Sequence, residues 1–177
     1  AQALTLVETT MDNAADLLKV DASGLTGDDT LTFIGSAETT ARVSVTGGDG
    51  ADSIVGSNAN LTDTISGGAG NDTIEGKAGV DSLSGGNDDD SFVYDSAAAD
   101  ATGAGETIAG GSGTDRIVVA GGVTAINFSD DSISSIETLE LTTNVAGVGD
   151  ANDQSLTMTD AQIDGLSTIN ANGGDNI

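Results

Sequence analysis

The sequence predicts an all-β fold, a right-handed parallel β-roll or β-helix in which very short strands alternate with tight turns. Three observations lead to it. Glycine recurs in a nine-residue register instead of scattering as loop punctuation. Each register carries one large apolar residue between two others, the pattern of a short strand burying one side chain. The chain also has no proline, as suits a backbone whose donors are committed to ladders.

Composition narrows what such a fold can do. Four basic residues face 29 acidic ones, giving a formal net charge of −25 over 177 residues. That sign argues against nucleic acid and anionic membrane surfaces, which need a basic footprint to displace counterions. With no Cys and no His, disulfides, thiol nucleophiles, the usual general base and the usual zinc ligands are all missing. Aromatic residues make up 2% and hydrophobic residues 37%, so Ile, Val, Leu and Ala supply a thin core that needs help from outside the chain. No apolar run approaches the roughly 20 residues that span a bilayer. No secretory signal stands at Ala1, the absence of an initiator Met leads us to expect a processed or excised chain, and a last repeat that breaks off at Ile177 leads us to expect that it continues.

The register can be read residue by residue. Gly47-Gly48-Asp49-Gly50-Ala51-Asp52-Ser53-Ile54-Val55 reads G-G-x-G-x-D-x-U-x, with U a large apolar residue. Gly67–Glu75 (GGAGNDTIE) and Gly110–Val118 (GGSGTDRIV) are intact copies. Gly76–Ser84 has Lys77 for the second glycine, and Gly85–Val93 has Asp88 for the third. Gly56–Ser66 is longer by two but keeps Asp63 and Ile65 in place. Gly24–Thr32 offers Asp29 and Leu31, Ala101–Ala109 offers Glu106 and Ile108, and a last partial copy runs from Gly173 through Asp175 to Ile177.

In these residues the chain resembles the RTX (repeats-in-toxin) proteins, whose calcium-binding repeat is this nonapeptide. The likeness divides the chain into N-terminal β rungs with one degenerate repeat (1–46), a calcium-binding roll (47–118), and continuing β-helix rungs (119–177) that end as a further repeat begins. Val20-Asp21-Ala22-Ser23-Gly24-Leu25 and Ser135-Ile136-Glu137-Thr138-Leu139-Glu140-Leu141 resemble segments of bacterial surface-layer proteins that carry such repeats.

The spacing itself has a physical reading. Glycines at places one, two and four allow the positive φ of a tight turn and let carbonyls point inward. The Asp at place six closes the turn with a hard carboxylate, and x-U-x follows as a strand. Two repeats then complete one coil, and turns two repeats apart stack about 4.8 Å from each other on one edge. Stacked carboxylates with turn carbonyls form an all-oxygen cage suited to Ca2+, which takes six to eight oxygens at about 2.3–2.6 Å; Mg2+ demands stricter geometry.

On the first edge Asp52 should face Asp72, Asp72 face Asp90, and Asp90 face Asp115. On the second, Asp63 should pair with Asp81 and Asp81 with Glu106, for about five Ca2+ in all. The carbonyls expected to complete the sites are those of Gly48, Gly50, Gly68, Gly70, Gly79, Gly86, Gly111 and Gly113, with Asp29 a further candidate carboxylate. Asp12, Asp16, Asp21, Asp95, Asp100, Asp130, Asp131, Asp150 and Asp153 are assigned to solvated surface.

In the flanks, Leu4–Val7, Leu17–Val20, Leu31–Ile34, Val43–Val45, Ile117–Val119, Thr124–Phe128 and Thr138–Leu141 read as strands. Thr159 and Gln162 have capping-box spacing, predicting either a short helix from Asp160 to Asp164 or a turn between strands near Leu156–Met158 and Leu166–Ile169.

No catalytic residues are assigned and the chain is not expected to be an enzyme, because the conspicuous acids already have a metal-binding account and cleft-lining aromatics are scarce. The resemblance implies a secreted, extracellular or cell-surface protein, exported by type I secretion and folding on Ca2+ outside the cell. The expected function is a structural, surface-layer-like segment whose partners are Ca2+ and further copies of itself or other cell-surface components, without nucleic acid or membrane insertion. The alternatives are a spacer or binding module of a large RTX adhesin, and the folding and secretion module of an RTX exoenzyme.

Overall fold

A computed structural model describes residues 1–7, 16–95, 105–120, 125–142 and 155–172. In chain order the strands are β1 (Ala3–Val7), β2 (Leu17–Asp21), β3 (Thr30–Ile34), β4 (Arg42–Thr46), β5 (Ser53–Val55), β6 (Thr64–Ala69), β7 (Thr73–Glu75) and β8 (Ser82–Asn87). They continue as β9 (Ser91–Tyr94), β10 (Thr107–Ser112), β11 (Arg116–Val119), β12 (Ala125–Asn127), β13 (Ser132–Ser134), β14 (Thr138–Thr142), β15 (Ser155–Thr157) and β16 (Thr168–Asn172). A six-residue helix, α1 (Asp160–Gly165), precedes β16.

From β1 to β11 successive strands alternate between two parallel sheets, which makes the molecule a parallel β-roll. One sheet has the order β1-β3-β5-β7-β9-β11-β14-β16 and the other β13-β10-β8-β6-β4-β2; β12 and β15 form a separate pair. Each coil as far as β14 therefore adds one rung to each sheet, and the last, carrying β15 and α1, adds only β16 to the first. In the first sheet Phe33, Ile54, Ile74, Phe92, Ile117 and Leu139 lie opposite one another from rung to rung. In the second, Val45, Ile65, Leu83 and Ile108 do the same. All of these are buried. A core one or two side chains deep per strand is what an aromatic-poor, β-branched composition can build.

The strands differ from the expected three residues in one systematic way. β6, β8 and β10 run on through the next Gly-Gly, where Gly68 lies opposite Gly86 and Gly86 opposite Gly111. A Cβ at Gly86 would sit 2.0 Å from the Gly68 carbonyl oxygen, and one at Gly111 2.1 Å from that of Gly86. Main chain stacks directly on main chain here, closer than any other residue permits.

The flanking strands lie where the sequence places them, within a residue or two. The helix forms as well: the Thr159 hydroxyl accepts from the Gln162 N–H, and the Gln162 side chain accepts from the Thr159 N–H at 2.7 Å. The Gln162 amide also donates to the Phe128 and Asp131 carbonyls at 2.6 and 2.9 Å, pinning the helix to the roll. The partial repeat at Gly173–Ile177, together with Asp12, Asp100, Asp150 and Asp153, lies outside the described residues.

Candidate metal centre

Along the repeats each turn closes on an acid placed immediately before a strand, and the parallel register stacks these acids into two columns. On the first edge, the N–H of Asp52 donates to Oδ1 of Asp72 at 2.8 Å, that of Asp72 to Asp90 at 2.9 Å, and that of Asp90 to Asp115 at 2.8 Å. The column then continues beyond the repeats, since the Asp115 N–H donates to Oε2 of Glu137 at 2.7 Å. On the second edge, Val43 donates to Asp63 at 2.7 Å and Asp63 to Asp81 at 2.8 Å. Higher up, Glu106 donates to Asp131 at 3.0 Å. The vertical partners are those the two-repeat coil requires: Asp52 with Asp72, Asp72 with Asp90, Asp90 with Asp115, and Asp63 with Asp81.

One oxygen of each first-edge carboxylate is consumed by this ladder, and the fate of the other is informative. Asp52 Oδ2 accepts from the Gly48 N–H at 2.8 Å, but Asp72, Asp90 and Asp115 are no more than 1% exposed, and the Oδ2 of each has no hydrogen-bond partner among the described residues. A buried acceptor without a donor costs about 1–3 kcal/mol, and more when charged. A proton or a cation is what would relieve it.

The first glycine of the repeat makes the room. A Cβ on Gly67 or Gly85 would lie 2.0 Å from Oδ2 of Asp72 or Asp90. At Gly47 the vacant Cβ position is 2.2 Å from Asp52 Oδ2 and 2.0 Å from the Gly67 carbonyl oxygen of the turn above. A carboxylate and a carbonyl oxygen thus converge where a side chain would otherwise be. Among the described residues no group of three or more acidic side chains is placed to hold an ion unaided. Carboxylates act here in vertical pairs with main-chain carbonyls, an all-oxygen donor set that fits Ca2+.

The place-one glycines make room for that oxygen and do not serve turn conformation, contrary to the reading from spacing alone. Gly47, Gly67, Gly76, Gly85 and Gly110 keep φ outside the left-handed region. Positive φ belongs to places two and four, at Gly68, Gly70, Gly79, Gly86, Gly111 and Gly113. Lys77 and Asp88, standing where the motif has glycine, still adopt φ of 70° and 74°. Gly48 and Gly50 do not, and the Gly48 carbonyl accepts from the Ala69 N–H at 2.9 Å.

Two carboxylates depart from expectation. Asp29 does not stack on Asp52. β3 pairs with β5 so that Thr32 lies opposite Ser53, and the N–H that reaches Asp52 Oδ1 is that of Leu31, at 2.7 Å. The degenerate repeat is out of step by two, and Asp29 instead packs its carbonyl under Gly50 and accepts from the Gln2 N–H. Asp131, assigned to solvent from sequence, is half-buried and accepts from the Gly105 and Glu106 N–H groups.

Glu106 does take the acidic place of its turn, with Oε2 accepting from the Tyr94 hydroxyl at 2.6 Å. Three contributors gave no signal in the nonapeptide. They are the half-buried Glu137, the buried Tyr94 hydroxyl, and buried Glu38, whose carboxylate caps its own turn through the Thr40 and Ala41 N–H groups. Glu137 could have been found from its position just before a strand.

Burial sets the electrostatics. It raises the Asp72 carboxyl to about 7, opposed by the Asp52 N–H and reinforced by the charges of Asp90 and Asp52. Asp90 is raised to about 6, again by burial first, with the Asp72 N–H opposing and the Asp115 charge adding. Asp63 and Asp115 are raised for the same leading reason. A protein that buries stacked acids in this way holds a strong preference for a counter-charge.

Residues 43–60 and 59–92 match the family of the RTX calcium-binding nonapeptide repeat, described as four copies. The matched stretch contains Asp52, Asp63, Asp72, Asp81 and Asp90; Asp115 and Glu137 extend the first column beyond it. No curated protein and no solved structure matches the chain.

Proposed function

We propose that this chain, which carries RTX calcium-binding nonapeptide repeats, is a calcium-dependent structural segment of a secreted, surface-layer-like protein. It is non-catalytic and folds outside the cell as Ca2+ fills the two columns. RTX repeats bind calcium and are typical of secreted proteins. Among the described residues no helix is long and apolar enough to cross a membrane. The observation that carries the proposal is the row of buried first-edge oxygens, on Asp72, Asp90 and Asp115, that no donor among the described residues reaches.

The residues that would hold the ions are Asp52, Asp72, Asp90 and Asp115 on one edge and Asp63, Asp81 and Glu106 on the other, with turn carbonyls, for about five ions. What Ca2+ supplies is countercharge. At a free concentration near 100 Kd each ion stabilises the folded state by about 2.7 kcal/mol, so several together rival the stability of a whole domain. In calcium-poor cytosol that contribution vanishes and the net charge of −25 favours expansion. Export before folding follows from the same balance.

Circular dichroism of the full chain during a calcium titration tests the proposal. A cooperative gain of β-structure in millimolar Ca2+, reversed by EDTA and poorly reproduced by equal Mg2+, is the expected outcome. The same β-rich spectrum and melting temperature in EDTA as in calcium would refute it.

A further inference from the structure

The first-edge column does not stop where the nonapeptides stop. The turn that follows β13 is only Ser135-Ile136-Glu137, has no glycine, and matches no part of the motif. Even so, Glu137 arrives opposite Asp115, because β14 pairs with β11 with Thr138 against Arg116. Its longer side chain brings Oε2 to 2.7 Å from the Asp115 nitrogen, the bond that an aspartate makes in each rung below.

Two further features repeat the lower sites. Asp115 is fully buried, its Oδ1 accepts from the Asp90 N–H, and its Oδ2 has no partner among the described residues. That free oxygen lies 2.3 Å from the vacant Cβ position of Gly110, and the Ser135 carbonyl oxygen lies 1.9 Å from the same point. At the bottom of the column the corresponding atoms at Gly47 are Asp52 Oδ2, at 2.2 Å and there also accepting from the Gly48 N–H, and the Gly67 carbonyl oxygen, at 2.0 Å. Ser135 takes the part of the upper glycine and, at φ 53°, lies in the left-handed region that a side chain rarely adopts.

We propose that Asp115 Oδ2, the Ser135 carbonyl and the Glu137 carboxylate form a further Ca2+ position at the top of the first edge, outside the nonapeptide repeats. This position rests on reading the column below as a calcium site. The donors are again hard oxygens, two carboxylates and a carbonyl, and no donor among the described residues serves Asp115 Oδ2. The second column ends differently. There the Tyr94 hydroxyl reaches Glu106 Oε2, so the oxygen next in line for an ion is met by a hydrogen bond.

The test counts ions on the full chain, stripped with chelator and titrated with calcium in equilibrium dialysis. Glu137→Gln keeps an acceptor for the Asp115 N–H and removes the charge; it should bind one ion fewer per chain than the parent at saturation. Glu140→Gln, which removes the same charge from the outward side of β14, should bind as many as the parent. An unchanged count in Glu137→Gln overturns the proposal while leaving the repeat sites intact, whereas a parent that binds no calcium overturns the repeat reading as well. Should Glu137→Gln fail to fold, anomalous scattering from calcium-loaded crystals of the unaltered chain decides. Density between Asp115 and Glu137 supports the position, and its absence with the lower gaps filled rules it out.

Discussion

The two edges of the roll are built from the same residue type at the same place in the coil, yet they solve the burial of a carboxylate differently. On the first edge the turns at 47–52, 67–72, 85–90 and 110–115 are all six residues long; Asp52 Oδ2 accepts from the Gly48 N–H at 2.8 Å, but Asp72, Asp90 and Asp115 keep an oxygen with no donor among the described residues. On the second edge the turns vary in length and two of the three carboxylates recruit donors, whereas the buried Asp81 Oδ2 accepts no hydrogen bond among the described residues. Asp63 Oδ2 accepts from the Ser57 N–H at 2.7 Å, and Glu106 Oε2 from Tyr94. Lys77, at a glycine's place, forms ion pairs with Glu75 and with Asp95, the latter at 3.0 Å. The six-residue turns ending at Asp72, Asp81, Asp90 and Asp115 leave a charge to an ion, and the turns ending at Asp63 and Glu106 satisfy part of that charge from the chain itself. Calcium dependence should therefore be greater on the first edge, which holds three of the four such oxygens.

The largest effect expected of a single substitution lies at its centre. Asp72 shares a gap with Asp52 below and with Asp90 above, so Asp72→Asn weakens two ion positions and should cost about 3–5 kcal/mol of stability in calcium. Glu106→Gln keeps an acceptor for the Tyr94 hydroxyl and should cost about 1 kcal/mol. Melting both variants in millimolar Ca2+ measures the contrast. Equal losses would show that the edges are equivalent and that the difference in free oxygens has no energetic meaning.

The columns were legible in the sequence wherever the spacing was rigid. Counting repeats fixes which Asp lies above which, so Asp72 with Asp90 and Asp63 with Asp81 follow from two nine-residue steps, Asp52 with Asp72 survives the two extra residues of 56–66, and even the longer connection before Asp115 leaves it in place. Counting fails where a rung changes length. Asp29 is displaced because β3 buries both Leu31 and Phe33 and aligns Phe33, not Leu31, with Ile54; either alignment puts an apolar residue inside, since strands repeat every two residues. Glu137 was hidden because its turn has no glycine, and Tyr94 because a hydroxyl supplied from a neighbouring strand leaves no local pattern. The place-one glycines were visible, but their reason, the space for Oδ2, exists only in three dimensions.

The acids of the first edge also set opposite pH dependences with and without calcium. In EDTA the folded-state carboxyls of Asp72 and Asp90 are raised, to about 7 and about 6, above their unfolded values. The folded state then holds the extra protons, so their contribution is fully present below about pH 4 and is lost as pH rises through 6 and 7. Residual β-structure in EDTA should therefore be greatest in mild acid. In saturating Ca2+ the ion displaces those protons, and stability should instead fall as the solution is acidified. Melting temperatures from pH 4 to 8 in both conditions measure the two slopes. Parallel slopes would mean that proton and calcium do not compete for the same oxygens.

The smallest effect in saturating calcium, and the one that bears most directly on why the edges differ, is expected from Tyr94→Phe. The ring would keep its edge-on contact with Phe128, at a centroid distance of 5.3 Å and an interplanar angle of 83°, so packing is preserved. What is lost is the hydroxyl that donates to Glu106 Oε2 at 2.6 Å, a charge-assisted bond whose removal inside a core costs about 1–3 kcal/mol when nothing replaces it. The substitution makes the top of the second edge more like the first, with a buried carboxylate oxygen that a cation can take in place of the hydroxyl. Its cost should accordingly be largest at the lowest calcium concentration that still supports the fold and should shrink as calcium rises. Denaturant melts of parent and variant at several fixed calcium concentrations give the difference directly. A penalty independent of calcium would place Glu106 outside the ion column and leave Tyr94 as an ordinary hydrogen-bond donor.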